Sequence, residues 1–318
     1  MKIKQIPNDR PKSSDTVVTV KQAGNTVEVR YSHLPGGVPI RKLDKDHGID
    51  LRTGEVIEYH HSKNRSESTG NVAHSLRDLR DLINTNLTTP ETALWVTLTY
   101  RENMRDEKRL YEDFRRFWQR FKYYLKKSCY PSAEYITAAE PQGRGAWHLH
   151  CLFLFSEKAP FIPNAHIAQI WSHGFTKTKS LQGVDNPGLY LTAYLGDMEF
   201  SEAAKSGTLR GRLAEVETID EHGNKQRKAV IKGARLHLYP SGFNLYRCSR
   251  GVKRPQVHEM SEGEVQGIIG TAPLTYEKTI QVTDEQGQVL NIINYRQYNR
   301  AKASADQTTE IEFPGDSP

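Results

Sequence analysis

The sequence is short of long apolar runs and of cysteine. The apolar run CLFLF at 151–155 is far below the roughly 18 to 20 residues that a membrane-spanning helix needs. The N-terminal MKIKQIPNDRPKSSD is charged and lacks the apolar core of a signal peptide. Cys129, Cys151 and Cys248 are widely spaced and form no CxxC pair, which is typical of free thiols in a reducing compartment. These absences predict a cytoplasmic protein without a membrane span.

The sequence has little excess of charge of either sign. Its 318 residues carry 44 Lys and Arg against 38 Asp and Glu, for a formal net charge of +6. With 36% apolar and 26% charged residues, the composition is typical of a globular protein. However, residues 228–254 hold seven Lys or Arg and no acid. This local excess predicts contacts with an acidic partner.

Residue periodicity predicts an α+β protein. A hairpin is predicted for VVTV and TVEVRYS around a Gly-Asn turn, because β-branched residues alternate there. Further strands are predicted at 93–100, 132–140, 147–155, 174–181, 275–283 and 288–295. Helices are predicted at 74–86, 107–127, 163–173 and 188–198. Loops are predicted at 1–14, 36–70 and 201–227, the last with room for a small helix.

Two histidines on the strand at 147–155 form a candidate metal site. His148 and His150 are two residues apart, so their side chains project from the same face of the sheet. A hairpin turn centred on Arg144 places Glu140 of the preceding strand opposite His148. This mixed N/O ligand set suits Mg²⁺ or Mn²⁺, and Zn²⁺ stays open. The alternative is a solvated strand face without a metal.

The helix at 188–198 carries a candidate nucleophile. Tyr190 and Tyr194 are four residues apart and Asp197 follows, so all three share one face of the helix. A tyrosine with its ordinary pKa of about 10 needs a nearby cation or base to attack as a phenolate. The alternative is that both tyrosines are core residues of the helix.

Three segments in order, WVTLTY, GAWHLHCLFLF and NPGLYLTAYL, resemble the motifs of the HUH endonuclease superfamily. The resemblance spans roughly 90–255 and is closest to rolling-circle replication initiators of bacterial plasmids, phages and integrative elements. It implies a five-stranded antiparallel sheet flanked by helices, of ferredoxin or RRM-like type, with small β attachments at both ends. It also implies His148 and His150 as metal ligands and Glu140 as the acidic third ligand.

The same resemblance implies that Tyr190 is the nucleophile and Tyr194 a second tyrosine. Relatives often carry Lys three residues after the first Tyr, but this chain has Ala193 there, and Asp197 follows. Which group assists Tyr190 is therefore left open. The implied reaction is site- and strand-specific DNA nicking and joining, with a 5′-phosphotyrosyl intermediate and a free 3′-hydroxyl that primes replication.

The implied partners are single-stranded or cruciform origin DNA and a bacterial host helicase and polymerase. The sequence lacks the helicase P-loop pattern GxxxxGK[ST], which favours a host helicase. The cationic residues assigned to DNA are Arg116, Arg120, Lys127, Arg144, Lys232, Arg235, Arg247, Arg250, Lys253 and Arg254, with Tyr239, Phe243 or Tyr246 as stacking partners. The alternative for each cation is a solvated charged surface.

We expect four segments along the chain. They are an N-terminal hairpin, loop and short-helix attachment at 1–89, the endonuclease domain at 90–255, a C-terminal β attachment at 256–300 and a disordered tail at 301–318. Two alternative functions stay open, a non-cleaving DNA-binding protein with a structural or lost metal site, and a relaxase or transposase of the same superfamily.

Overall fold

The computed structural model divides the chain into two compact units. It describes residues 2–34, 40–50, 54–59, 61–87, 89–179, 181, 187–192, 195–206, 212–219, 225–284 and 286–302. The first unit combines Met1–His61 with Arg254–Pro318, and the second is Ser62–Lys253. The second unit is therefore one continuous stretch, inserted into the sequence of the first. No helix in the described ranges is long and apolar enough to cross a membrane.

The elements follow in chain order. The N-terminal stretch forms β1 (Lys2–Ile6), β2 (Val17–Ala23), β3 (Thr26–Ser32), β4 (Ile40–Lys42), β5 (His47–Asp50) and β6 (Val56–Glu58). The second unit forms α1 (Thr69–Asn86), β7 (Ala93–Thr99), α2 (Glu107–Lys127), β8 (Ala133–Pro141), β9 (Trp147–Phe155), α3 (Asn164–Trp171), β10 (Thr176–Lys179), α4 (Pro187–Thr192), β11 (Met198–Glu199), α5 (Phe200–Ser206), β12 (Arg212–Ile219), β13 (Lys225–Lys232) and β14 (Tyr246–Cys248). The C-terminal stretch forms β15 (Gln256–Ser261), α6 (Glu262–Ile269), β16 (Leu274–Thr283) and β17 (Val289–Asn299).

The second unit is built on a five-stranded sheet in the order β10-β7-β9-β8-β14. Every neighbouring pair in it is antiparallel. The predicted α+β class, with antiparallel sheets flanked by helices, is confirmed. In the β8–β9 pair Glu140 lies opposite His148, which is the predicted register. The assignment of this sheet to the HUH endonuclease fold stays a prediction.

The two faces of this sheet pack against different helices. Leu149, Cys151 and Phe153 of β9 lie in a core cluster with the apolar residues of α2. Leu152 and Leu154 lie in a second cluster, with leucines of α1 and α4. Because strand side chains alternate between faces, His148 and His150 are on the side of α1 and α4. The helix α2 therefore covers the face opposite to the histidines.

The helix α2 has the bounds that its periodicity predicts. Asp106 is its N-cap, and its carboxylate accepts hydrogen bonds from the backbone N–H groups of Lys108 and Arg109 at 2.8 and 3.1 Å. The predicted apolar stripe is buried at Leu110, Phe114, Phe117, Phe121 and Leu125. Its cations face outward, because burying their charges without partners would cost free energy.

The first unit contains strands in segments predicted as loops. β1 lies within residues 1–14 and pairs with β16, and β4, β5 and β6 form a small sheet within residues 36–70. In the second unit, α5, β12 and β13 occupy most of the predicted loop at 201–227. These loop predictions were wrong because the strands are short or polar, and β1 obtains its partner from the far end of the chain. Within the first unit, β1, β16, β17, β3, β2 and β15 form one sheet.

Two further expectations meet the structure differently. The short helix expected within the N-terminal attachment at 1–89 is α1, which begins at Thr69 and belongs to the second unit. The disorder expected for the tail at 301–318 falls almost wholly on residues 303–318, which lie outside the described residues.

Candidate metal centre

Glu140, His148 and His150 form one compact cluster on the β8–β9 hairpin. The Nε2 atoms of both histidines lie 2.9 Å from the same carboxylate oxygen, Oε2 of Glu140. The side chain of Glu140 is only 4% exposed, and those of His148 and His150 are 13% and 19% exposed. The two rings are nearly perpendicular, with centroids 4.6 Å apart. The hairpin therefore brings together the three residues that the sequence predicts as ligands.

The donor set of this cluster fits a divalent cation. The ligand atoms of Glu140, His148 and His150 all lie within 4.8 Å of one another. Neighbouring ligands of an octahedral cation with bonds of 2.0 to 2.1 Å lie about 3 Å apart, close to the observed nitrogen–oxygen separations. Two imidazoles and a carboxylate can thus hold one metal ion and leave further coordination positions for a substrate or water.

Opposing influences act on the ionisation of the cluster. Burial by itself would raise the pKa of Glu140, but hydrogen bonds from His148 and His150 and the charge of Arg235 hold this pKa well below its ordinary value. Burial lowers the pKa of His150, against the hydrogen bond to Glu140. The ionised carboxylate and the neutral imidazole are the forms that bind a metal ion.

Arg235 occupies the other oxygen of Glu140. Its Nη1 atom donates to Oε1 of Glu140 at 2.5 Å, and its Nη2 atom donates to Glu202 of α5. Glu202 in turn accepts a hydrogen bond at 2.9 Å from the backbone N–H of Gly143, in the turn between β8 and β9. The arginine side chain is 13% exposed. A buried guanidinium therefore joins the candidate ligand to a second acid and, through it, to the hairpin turn.

His150 has two further contacts on β7. The Oγ1 atom of Thr97, directly across the strand pair, lies 3.4 Å from Nδ1 of His150. The indole of Trp95 stacks on the imidazole, with ring centroids 5.4 Å apart and an interplanar angle of 7°. These contacts hold the ring with Nε2 toward Glu140. The sequence analysis did not single out Thr97, Trp95 or Glu202, because strand pairing and long-range ion pairs bring them to the cluster.

A cavity of about 210 Å³ opens beside the cluster. Its described walls include Glu140, His150 and Arg235, the apolar Trp95 and Leu191, and charged residues. Two of its acids carry ion pairs, Asp197 to Lys232 at 2.6 Å and Glu199 to Lys228 at 2.6 Å. The cavity thus combines the candidate ligands with apolar and charged walls.

The helix α4 borders this cavity. Leu191 of α4 lines it, and the same helix packs against α1, where the N–H of Gly188 donates to Oδ1 of Asn84 at 2.9 Å. The backbone of Tyr190 belongs to α4. Ala193 and Tyr194 lie outside the described residues, as do Asp185 and Asn186 that were considered as its N-cap. The predicted tyrosine helix is therefore on the same sheet face as the metal cluster.

The cations assigned to DNA contacts fall into separate places. Arg116, Arg120 and Lys127 lie on the exposed side of α2, on the face of the sheet away from the metal cluster. Lys232 and Arg235 are paired with acids beside the cavity. The remaining assigned cations, all exposed, are Arg144 in the β8–β9 turn, Arg247 over the ring of Tyr111, and Arg250, Lys253 and Arg254. Their assignment to DNA stays a prediction.

Two of the three aromatic residues suggested for base stacking are core residues instead. Tyr239 is 1% exposed and donates its hydroxyl hydrogen to the backbone oxygen of Ala139 at 3.1 Å. Phe243 is 4% exposed and stacks on Trp147, with centroids 4.6 Å apart. Both pack under the sheet because the apolar cluster of α2 offers them more contact than solvent does. Tyr246 of β14 is half-buried.

Comparison with known proteins bears on this hairpin and its neighbours. Residues 93–199 match the family model of the replication-associated protein ORF2. The stretch matched to the ORF2 family begins at β7, includes the metal cluster and α4, and ends with β11. It covers about a third of the chain, and it supports a role in replication. No curated protein and no solved structure matched the chain.

Proposed function

We propose that this chain starts rolling-circle replication by nicking and rejoining one DNA strand at an origin. The observation that carries the proposal is the Glu140, His148 and His150 cluster within the stretch that matches the replication-associated ORF2 family. The sequence motifs that resemble HUH endonucleases lie in the same stretch. A replication protein with a cation-binding hairpin beside a tyrosine-bearing helix has the parts that tyrosine nucleases use.

The residues of the cluster divide the work between them. His148, His150 and Oε2 of Glu140 hold a divalent cation, for which we propose Mg²⁺ or Mn²⁺. When bound, such a cation withdraws charge from a non-bridging oxygen of the scissile phosphate. Arg235 keeps Glu140 ionised, and Thr97 and Trp95 fix the orientation of His150. The cavity beside them suits a phosphodiester, because its walls are both charged and apolar.

We assign nucleophilic attack to Tyr190. Its phenolate oxygen forms a bond to phosphorus, and the bond from phosphorus to the 3′-oxygen breaks in line with it. The leaving oxygen takes a proton and becomes a free 3′-hydroxyl, which a polymerase can extend. The energy of the phosphodiester is kept in the 5′-phosphotyrosyl link, so a later 3′-hydroxyl can reverse the reaction and rejoin the strand. In this proposal Tyr194 is a candidate for a second cleavage.

The proposed partners follow from this chemistry. The substrate is single-stranded or cruciform origin DNA, and host helicase and polymerase unwind and copy the duplex from the new 3′ end. The exposed cations of α2 and of residues 247–254 contact phosphates in a salt-dependent manner. The proposed location is the cytoplasm of a bacterial host cell.

A covalent-adduct assay tests the proposal. The purified chain with Mn²⁺ and a single-stranded oligonucleotide containing the origin should give a protein–DNA adduct, mapped to Tyr190 by mass spectrometry. Tyr190→Phe should reduce this adduct at least 100-fold, because a phenyl ring has no oxygen to attack phosphorus. The matched control is Tyr123→Phe, an exposed tyrosine on α2, which should leave the yield unchanged. An adduct of normal yield in Tyr190→Phe rules out this nucleophile.

The same assay separates the alternatives. A non-cleaving DNA-binding protein would bind the oligonucleotide without adduct in the wild type. A relaxase or transposase of the same superfamily would form the adduct but give strand-transfer products at element ends, without replication from the 3′-hydroxyl.

A further inference from the structure

We propose that Arg235 is a positioning residue for the metal centre rather than a contact for DNA. It holds Oε1 of Glu140, so that Oε2 alone faces the two histidines and the cation binds one oxygen of the carboxylate. This inference rests on the metal site of the proposed function and names a residue that determines its affinity.

The two oxygens of Glu140 have different partners. Oε2 lies 2.9 Å from Nε2 of both His148 and His150, whereas Oε1 accepts the hydrogen bond from Arg235. A carboxylate free at both oxygens can rotate or bind a cation with both of them. With Oε1 held by a cation of fixed geometry, Glu140 presents its second oxygen in one orientation. Partners that orient a ligand typically change metal affinity 10- to 100-fold.

Arg235 is itself held from two sides. Its Nη1 and Nη2 atoms donate to Glu140 and Glu202, so one planar guanidinium bridges two acids. Its backbone N–H also donates to the carbonyl of Gly196 at 2.9 Å. Because Glu202 is bonded to the N–H of Gly143, the bridge ends on the turn of the hairpin that carries the ligands. A lysine has one point of charge and cannot fill both positions with the same geometry.

This geometry distinguishes positioning from DNA contact. A cation that contacts phosphates needs an accessible head group, but the side chain of Arg235 is 13% exposed and lies between two carboxylates. Binding a phosphate would require breaking one of these ion pairs. Lys253 and Arg254, in the same basic segment, are exposed and meet that requirement without such a loss.

Binding of Mn²⁺ alone to the full chain tests the inference. Isothermal titration or electron paramagnetic resonance without DNA should show a 10- to 100-fold weaker affinity for Arg235→Gln. Arg235→Lys should recover part of the loss, because it restores the charge near Oε1. Glu202→Gln should weaken affinity less than Arg235→Gln, since it releases only one end of the bridge. The matched control is Arg77→Gln, an exposed cation on α1, which should bind Mn²⁺ like the wild type.

A second titration measures DNA affinity in EDTA with the same single-stranded oligonucleotide. For Arg235→Gln we expect a change of less than twofold. Wild-type Mn²⁺ affinity in this variant overturns the inference, and a large loss of DNA affinity at unchanged Mn²⁺ affinity makes Arg235 a DNA contact. If Arg235→Gln does not fold, as judged by circular dichroism, Glu202→Gln decides, because it leaves the Arg235–Glu140 pair in place.

Failure of the proposed function has a different signature. A wild type that binds Mn²⁺ but forms no tyrosine adduct loses the nicking proposal and keeps the role of Arg235. A wild type that binds no Mn²⁺ at millimolar concentration loses both the metal centre and this inference.

Discussion

Glu140 is the residue on which the centre depends, because it meets three charged or polar partners with two oxygens. Its burial would ordinarily favour the neutral acid, and removing the partners would leave a buried carboxylate unpaired. His148 and His150 have a simpler part, since each contributes one nitrogen to the same oxygen. Substitution of a histidine should therefore separate metal binding from folding better than substitution of Glu140.

We expect His148→Ala to lose Mn²⁺ binding and nicking while the fold is retained. The variant removes one of three ligands, and its side chain is 13% exposed, so the cost in stability should be only about 1 kcal/mol. Mn²⁺ titration and the adduct assay measure the first effect, and thermal unfolding measures the second. His166→Ala, an exposed histidine on α3, is the control. Full nicking by His148→Ala, or by the wild type in EDTA, would contradict the metal proposal.

At the residue scale the sequence is informative where the chain folds on itself locally. Glu140 and His148 were predicted as opposite residues because a short turn fixes the register of their hairpin. Arg235 and Glu202 reach the same cluster from distant segments, and no local pattern links them to Glu140. Arg235 was therefore assigned to DNA on its charge alone.

At the scale of elements, the contact between α4 and α1 determines where the tyrosine helix lies. A Cβ atom on Gly188 would be 2.4 Å from the backbone oxygen of Arg80 and 2.5 Å from Oδ1 of Asn84. Asn84 is nearly buried and accepts the Gly188 N–H hydrogen bond. The absence of a side chain at position 188 therefore permits the close approach of the two helices.

We predict that Gly188→Ala displaces α4 and reduces nicking more than it reduces stability. Overpacking of this kind typically costs about 1 to 3 kcal/mol, and a shift of about 1 Å in a reacting group can cost 100-fold in rate. The adduct assay and urea unfolding measure the two effects. In Gly70→Ala, at the start of α1, the added methyl meets nothing within 4 Å, so this control should be neutral or slightly stabilising. Equal nicking by both variants would show that the helix contact does not position the nucleophile.

Elements with strong internal patterns were predicted well, and those with weak patterns were not. The bounds of α2 follow from an apolar stripe and an N-cap that lie within one segment. By contrast, β1 has the polar sequence KIKQI and is a strand because β16 pairs with it. Pairing between the ends of a chain leaves no periodic signal at either end.

At the scale of the whole molecule, net charge was a poor guide to its surface. The basic segment at 228–254 has no acid of its own, yet Lys228, Lys232 and Arg235 are each paired with an acid from elsewhere in the second unit. The positive surface expected from the sequence is therefore smaller than the segment's formal charge, and it lies toward residues 247–254.

In the first unit, an ion pair connects its N-terminal and C-terminal stretches. Arg10 donates from Nε to Oε1 of Glu277 at 2.7 Å, and Asn294 donates to the same carboxylate at 3.1 Å. The hydrogen bond from Arg10 lowers the pKa of Glu277, against the effect of burial. A lowered pKa means that this stabilisation is present above the ordinary glutamate pKa of about 4.3 and is lost as pH falls through the folded-state pKa.

We therefore expect Glu277→Gln to destabilise the protein at pH 7 by about 1 kcal/mol and to have little effect near pH 3. Calorimetric unfolding of both proteins across this range measures the difference. Glu259→Gln, an exposed acid on β15, is the control and should show no comparable dependence. A difference that stays constant from pH 7 to pH 3 would exclude ionisation of Glu277 as its cause.

The division into two units also sets an order of events during synthesis. Ribosomes deliver Ser62–Lys253 in full before β15, β16 and β17 exist. The N-terminal strands β1, β2 and β3 must wait for these partners, while the unit that carries the candidate nuclease centre can already fold. A nascent chain stalled after residue 253 should accordingly bind Mn²⁺ while its first strands are still susceptible to proteolysis.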